Sequence, residues 1–133
     1  MKYSLDECLG FRLRRLSRIA DGYVRDCLTE YDITENQLTI LFTLKTLGKV
    51  EQGQIGLTLG LERSTISRNV KLLEARGLIV RTHDYRPEIE LTIKGEKMVE
   101  EIRPLWEGVM DTLIDKIGDS GLKQIANLEK KLK

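Results

Sequence analysis

Between residues 62 and 92 the hydrophobic period of the chain changes once, and that change restricts the folds open to it. Up to Gly77, Ile66, Val70 and Leu73 recur at three- and four-residue spacing, which places them on one face of an α-helix over residues 62–76. Directly after Gly77, residues 78–82 (Leu-Ile-Val-Arg-Thr) and 88–92 (Glu-Ile-Glu-Leu-Thr) carry β-branched and apolar side chains, with Asp84 and Pro87 between them. That pattern predicts a β-hairpin. Upstream, Thr34-Glu35-Asn36-Gln37 forms a capping box, Ile33 and Leu38 stand where a hydrophobic staple needs them, and Leu38, Leu41, Leu44 and Leu47 continue one face until Gly48. A helix over residues 35–47 follows. Residues 50–59 contain Gly53 and Gly56, each costing roughly 1 kcal/mol against alanine inside a helix, so this stretch becomes helical only through its surroundings. Gly60 supplies a stop. Short helices joined at a glycine-containing turn, with a hairpin after the last of them, describe a winged helix-turn-helix, a mainly α fold with a small β-hairpin wing.

The flanks are helical too. Ser4-Leu5-Asp6-Glu7 reads as a capping box that starts a long first helix, with a stripe through Leu5, Leu9, Leu13, Leu16, Ala20, Val24, Cys27 and Tyr31 and arginines 12, 14, 15, 18 and 25 on its other faces. From Thr92 a second stripe runs through Met98, Ile102, Leu105, Val109, Leu113 and Ile117; Pro104 should kink this helix, and residues 118–121 should end it. A last amphipathic segment carries Leu122, Ile125, Leu128 and Leu132. These terminal stripes have too little remaining chain to cover them. The expectation is a C2 homodimer closed by Leu5, Leu9, Leu113, Ile117, Leu128 and Leu132, with 1–32 and 93–133 as the dimerisation region and 33–92 as the DNA-binding region.

At 133 residues and 41% hydrophobic content, the chain can bury a core without disulfides or metals. Its formal net charge is only +1, so a case for nucleic-acid binding has to be local. Residues 62–86 supply it: Arg63, Arg68, Lys71, Arg76, Arg81 and Arg86 stand against Glu62, Glu74 and Asp84. On a helical projection Ser64, Ser67, Arg68 and Lys71 lie opposite Ile66, Val70 and Leu73. Small hydroxyls and arginines on an outward face suit the major groove of double-stranded DNA, where arginine can bond guanine O6 and N7 together. No Ser/His/Asp set, Walker sequence or dinucleotide fingerprint is present, which argues against an enzyme. With one histidine (His83) and two cysteines, neither a metal nor another cofactor is expected. Without a long apolar run, the chain reads as cytoplasmic rather than membrane-bound.

Leu59-Gly60-Leu61-Glu62-Arg63-Ser64-Thr65-Ile66-Ser67-Arg68, then Leu73-Glu74-Ala75-Arg76-Gly77-Leu78-Ile79, then Leu91-Thr92-Ile93-Lys94-Gly95, resemble the signature of the MarR family of bacterial regulators. The resemblance implies a homodimeric repressor on a pseudo-palindromic operator, released by a small phenolic or lipophilic effector or by oxidation of a cysteine. Carried over by position, it implies DNA contacts from Arg63, Ser64, Thr65, Ser67 and Arg68, and a wing arginine at Arg86. Three features depart from it: Lys71 where an acid is common, Asn69 where an apolar residue is usual, and a shorter connection between Arg81 and Leu91. Cys8 and Cys27 read as packing residues of the first helix, and Tyr3, Tyr23, Tyr31 and Trp106 as core rather than as a ligand cavity. Two alternatives remain open: a cysteine-based redox regulator, and a winged helix used only for protein contacts. The latter would give a gel shift without sequence preference that vanishes at modest salt.

Overall fold

The computed structural model describes residues 1–133, which fall into two compact units: Leu28–Arg103, and Met1–Cys27 with Pro104–Lys133. The first holds the whole buried core. Its helix α2 (Glu35–Leu47) starts where the capping box predicts: the Gln37 N–H donates to Thr34 Oγ1 at 3.2 Å, and the Thr34 N–H donates to Gln37 Oε1 at 3.1 Å. Ile33 and Leu38 are both buried, as a staple requires. After Gly48, residues Val50–Glu51 form a short strand β1 that leads into α3 (Gln52–Leu59), and a turn at Gly60 leads into α4 (Arg63–Ala75). Helix α3 packs on both α2 and α4, which explains how a segment with two glycines stays helical. Ile40, Leu41 and Leu44 of α2, Ile55 of α3, and Ile66, Val70 and Leu73 of α4 form the centre of this core.

The wing is β2 (Ile79–Arg81) and β3 (Glu88–Leu91), antiparallel, with Val80 opposite Glu90. The expected two-stranded hairpin proves to be a three-stranded sheet in the order β1-β3-β2, because Val50 and Glu51 pair with Ile89 and Glu88. Two residues are too short a run to show a period of two in the sequence. Helix α5 (Ile93–Leu132) is capped by Thr92, whose Oγ1 accepts the Gly95 N–H at 3.0 Å and donates to the Gly77 carbonyl at 2.6 Å. The Thr92 N–H also donates to the Leu78 carbonyl at 3.1 Å. The Leu-Thr-x-x-Gly signature therefore locks the start of α5 onto the end of α4.

The second unit comprises the N-terminal residues, α1 (Leu9–Leu28) as far as Cys27, and the part of α5 from Pro104 onward. Lys116 of α5 places its Nζ over the Tyr23 ring of α1, 5.3 Å from the centroid. Several expectations for this unit need correction. The N-terminal box caps only a 3-10 turn, Leu5–Glu7; the α-helix begins at Leu9 and gives way at Thr29–Tyr31 to a second 3-10 turn. Cys8 thus precedes the helix and is exposed. The last helix breaks at Gly118, with φ 74° and ψ 170°, inside the stop expected at residues 118–121, whereas Pro104, where a kink is expected, keeps helical dihedrals. Gly118 alone departs from the helix, because a left-handed φ costs glycine nothing and the chain resumes its turn at once. Tyr3 and Tyr23 are exposed rather than core.

Candidate nucleic-acid interface

Helix α4 owes its orientation to opposite faces of opposite character. Ile66, Val70 and Leu73 are almost completely inaccessible, while Arg63, Ser64, Arg68 and Lys71 are exposed. At its N-terminus Leu59 leads into Gly60, which adopts a left-handed φ of 67° and donates its N–H to the Gly56 carbonyl; Leu61 donates to the same carbonyl at 3.2 Å. The turn brings Ile66 within reach of α3: a Cβ added at Gly56 would lie 3.7 Å from Ile66 Cγ1. At the other end Arg76 closes the helix and Gly77, at φ 73°, turns the chain into β2.

Two grooves gather the residues singled out by sequence. A shallow one follows the outer face of α4 and is lined by Ser64, Ser67, Arg68, Lys71 and Leu72. A larger open groove, about 1550 Å³, lies between α3, the α3–α4 turn and the wing, with Gln52, Gln54, Arg63, Tyr85 and Arg86 among its walls. Arg63 and Arg86, far apart in sequence, thus share one groove. Thr65 lines neither; it is half-buried, and its carbonyl accepts an additional bond from the Asn69 side chain.

The cations of this region divide into two classes. Arg76 donates to the carbonyls of Tyr31, at 2.8 Å, and Asp32. Arg81 pairs with Glu74 at 3.1 Å. Both are bound within the chain, so the positive face counted from the sequence reduces to Arg63, Arg68, Lys71 and Arg86, which are exposed. Sequence spacing cannot separate the two classes, because Arg76 finds its acceptors more than forty positions upstream.

Asn69 is the residue whose role the sequence signalled without explaining. It lies on the buried side of α4, 8% exposed, and its Oδ1 accepts from Gln37 Nε2 at 3.2 Å. Gln37, also 8% exposed, is the capping-box glutamine of α2. An amide on an otherwise apolar face demands a buried partner, and that demand was the available signal. Cys27 is half-buried, and desolvation pushes its thiol pKa up, opposed by a backbone hydrogen bond. No helix is long and apolar enough to cross a membrane.

Comparison with known proteins gives a consistent picture. Residues 31–87 match the model of the MarR family. The chain is similar to an uncharacterized HTH-type transcriptional regulator of Bacillus subtilis strain 168, YwoH, with 29% identity over 94 residues, covering 68% of this chain and 69% of the relative. Among solved structures it resembles Bordetella bronchiseptica BpsR, whose DNA binding is regulated by 6-hydroxynicotinic acid, with a TM-score of 0.87 and 22% identity over 98% of this chain and 96% of that one. That likeness is one of fold. Against S. aureus MepR, solved in complex with DNA, the TM-score is 0.77 and the identity 27%, over 97% of each chain.

Proposed function

We propose that this chain, whose residues 31–87 match the model of the MarR family, is a DNA-binding winged helix-turn-helix transcriptional regulator that reads a pseudo-palindromic operator as a homodimer and represses transcription from it. The observation that carries this reading is the outer face of α4, where Ser64, Ser67, Arg68 and Lys71 line one groove opposite an inner face that is apolar but for Asn69. Such a helix presents mainly polar and basic side chains to a major groove, with Leu72 alone apolar among those lining the groove, and Arg68 near its middle can make a bidentate contact with guanine. Arg63 and Arg86, in the neighbouring groove, are placed to hold phosphates or the rim of the adjacent minor groove. Thr65, with its half-buried position, contributes through its hydroxyl at the edge of the contact.

Repression relieved by a small lipophilic or phenolic effector is the second half of the proposal, supported by the aromatic hydroxy acid that regulates DNA binding of the structurally similar BpsR. Selection of bound duplexes from random DNA tests the first half. The expected result is an enriched inverted repeat; a pool without enrichment refutes it. Titration of the selected duplex with and without 6-hydroxynicotinic acid and simple phenols then tests the second.

A further inference from the structure

We propose that the buried pair Gln37–Asn69 sets the roll of α4 on α2 and is thereby a determinant of operator specificity, although neither side chain faces DNA. The inference rests on the DNA-reading role proposed for α4. Three directional bonds run in series: the Thr34 N–H to Gln37 Oε1 at 3.1 Å, Gln37 Nε2 to Asn69 Oδ1 at 3.2 Å, and Asn69 Nδ2 to the Thr65 carbonyl at 2.9 Å. Each amide is oriented by its other end. Gln37 has its oxygen fixed by the cap, so its nitrogen must face Asn69; Asn69 has its nitrogen fixed by Thr65, so its oxygen must face Gln37. Both are 8% exposed, and no buried side-chain nitrogen or oxygen in the chain lacks a partner.

At its C-terminal end α4 is also tied by Arg76 to the Tyr31 and Asp32 carbonyls and by Glu74 to Arg81, but along its middle, beside Arg68, the remaining core contacts through Ile66, Val70 and Leu73 are apolar and non-directional. They hold the helix against its neighbours but tolerate a change of roll. For a helix whose side chains extend about 5–6 Å from its axis, a roll of about 15° moves a tip by about 1.5 Å. That is enough to break a hydrogen bond, and a bidentate arginine–guanine contact from Arg68, next to Asn69, needs both of its bonds. Phosphate contacts from flexible Lys71 and Arg63 adapt to the same shift. The pair therefore controls discrimination between sequences more than affinity for DNA as such.

The decisive variant is Gln37→Met combined with Asn69→Leu, because replacing both partners of a buried hydrogen bond by apolar side chains leaves no unpaired amide in the core, and the Thr34 N–H, which loses its Gln37 acceptor, belongs to an exposed residue that water can reach. Its unfolding temperature should stay near that of the wild type. The ratio of affinities for the selected operator and for a shuffled duplex of equal composition should fall about tenfold, with the shuffled affinity unchanged. Asn69→Leu alone reads the same ratio should the double variant not fold. An unchanged ratio in a folded variant overturns the proposal, as do equal losses on both duplexes. A wild type that itself prefers neither duplex overturns the DNA-reading role instead, and the proposal with it.

Discussion

At the scale of single residues, the structure separates positions of equal appearance in the sequence. Gly95 and Gly53 both sit near the start of a helix, yet a Cβ on Gly95 would lie 2.0 Å from the Leu78 carbonyl oxygen, whereas one on Gly53 meets nothing within 4 Å. The Leu78 carbonyl also accepts the Thr92 N–H and cannot yield. Gly95→Ala should therefore cost about 3 kcal/mol, the upper end of overpacking effects, while Gly53→Ala should stabilise by about 0.4–1 kcal/mol; urea unfolding of both variants checks this. Arg68 was legible from helical projection alone, and Arg68→Ala should cost about 1–3 kcal/mol on the selected operator and less on unrelated DNA, as titration of both will show. Asn69 and Arg76 were not legible, since their partners Gln37, Tyr31 and Asp32 come from elements distant in sequence. For Cys27, a raised pKa keeps the thiol protonated at neutral pH, where it is a poor nucleophile. Iodoacetamide at pH 7 should modify exposed Cys8 first and Cys27 only as the pH rises, and mass spectrometry can follow the order.

Elements with their own start and stop chemistry were readable. Helix α2 begins and ends where Thr34, Gln37 and Gly48 say it must, and α4 differs from its expected span by one residue at each end. Elements defined by their neighbours were not: β1 exists only because β3 offers it a partner, and Pro104 remains helical where a kink is expected, while the break at Gly118 falls where the glycines of residues 118–121 place it. The wing lies between these cases. Its ladder continues past β2 and β3, with the Thr82 N–H on the Glu88 carbonyl and the Glu88 N–H on Thr82 Oγ1, both at 2.9 Å. Only residues 83–87 remain as its tip, with Tyr85 and Arg86 exposed and Pro87 restricting Arg86 toward extended conformations. So short a tip favours the phosphate rim over deep entry into the minor groove. Arg86→Ala should weaken operator and unrelated DNA by similar factors and lower the salt slope by about one unit. Titrations on A·T-flanked and G·C-flanked operators at several salt concentrations decide the matter, and a strong flank dependence confined to the wild type would refute the rim assignment.

At the scale of the whole molecule, the distribution of burial argues for a second copy. Every buried side chain belongs to Leu28–Arg103; within Met1–Cys27 and Pro104–Lys133 not one residue is buried. Yet that unit is amphipathic, with Leu5, Leu9, Leu16 and Ile19 exposed at one end of the chain and Ile114, Ile117, Leu122, Ile125, Leu128 and Leu132 exposed at the other. Leu113 is half-buried among them. A contiguous apolar surface of this kind on a monomer would promote aggregation, and burying it at about 25 cal/mol per Å² is the available source of stability for helices that otherwise lack a core. A symmetric dimer would remove it by bringing the same stripes together, in an interface that should resemble a divided core. Light scattering at micromolar concentration should give a mass twice that of the chain. Leu9→Asp with Leu128→Asp should yield monomer, because two charges would enter each half of an apolar contact. Association also fixes the DNA geometry: two α4 helices related by a twofold axis should engage half-sites about 34–36 Å apart, one turn of the duplex. Inserting about half a turn of DNA between the half-sites should therefore abolish tight binding while leaving each half-site intact, and full affinity on the expanded operator, or a monomer in the wild type, would rule out this assembly.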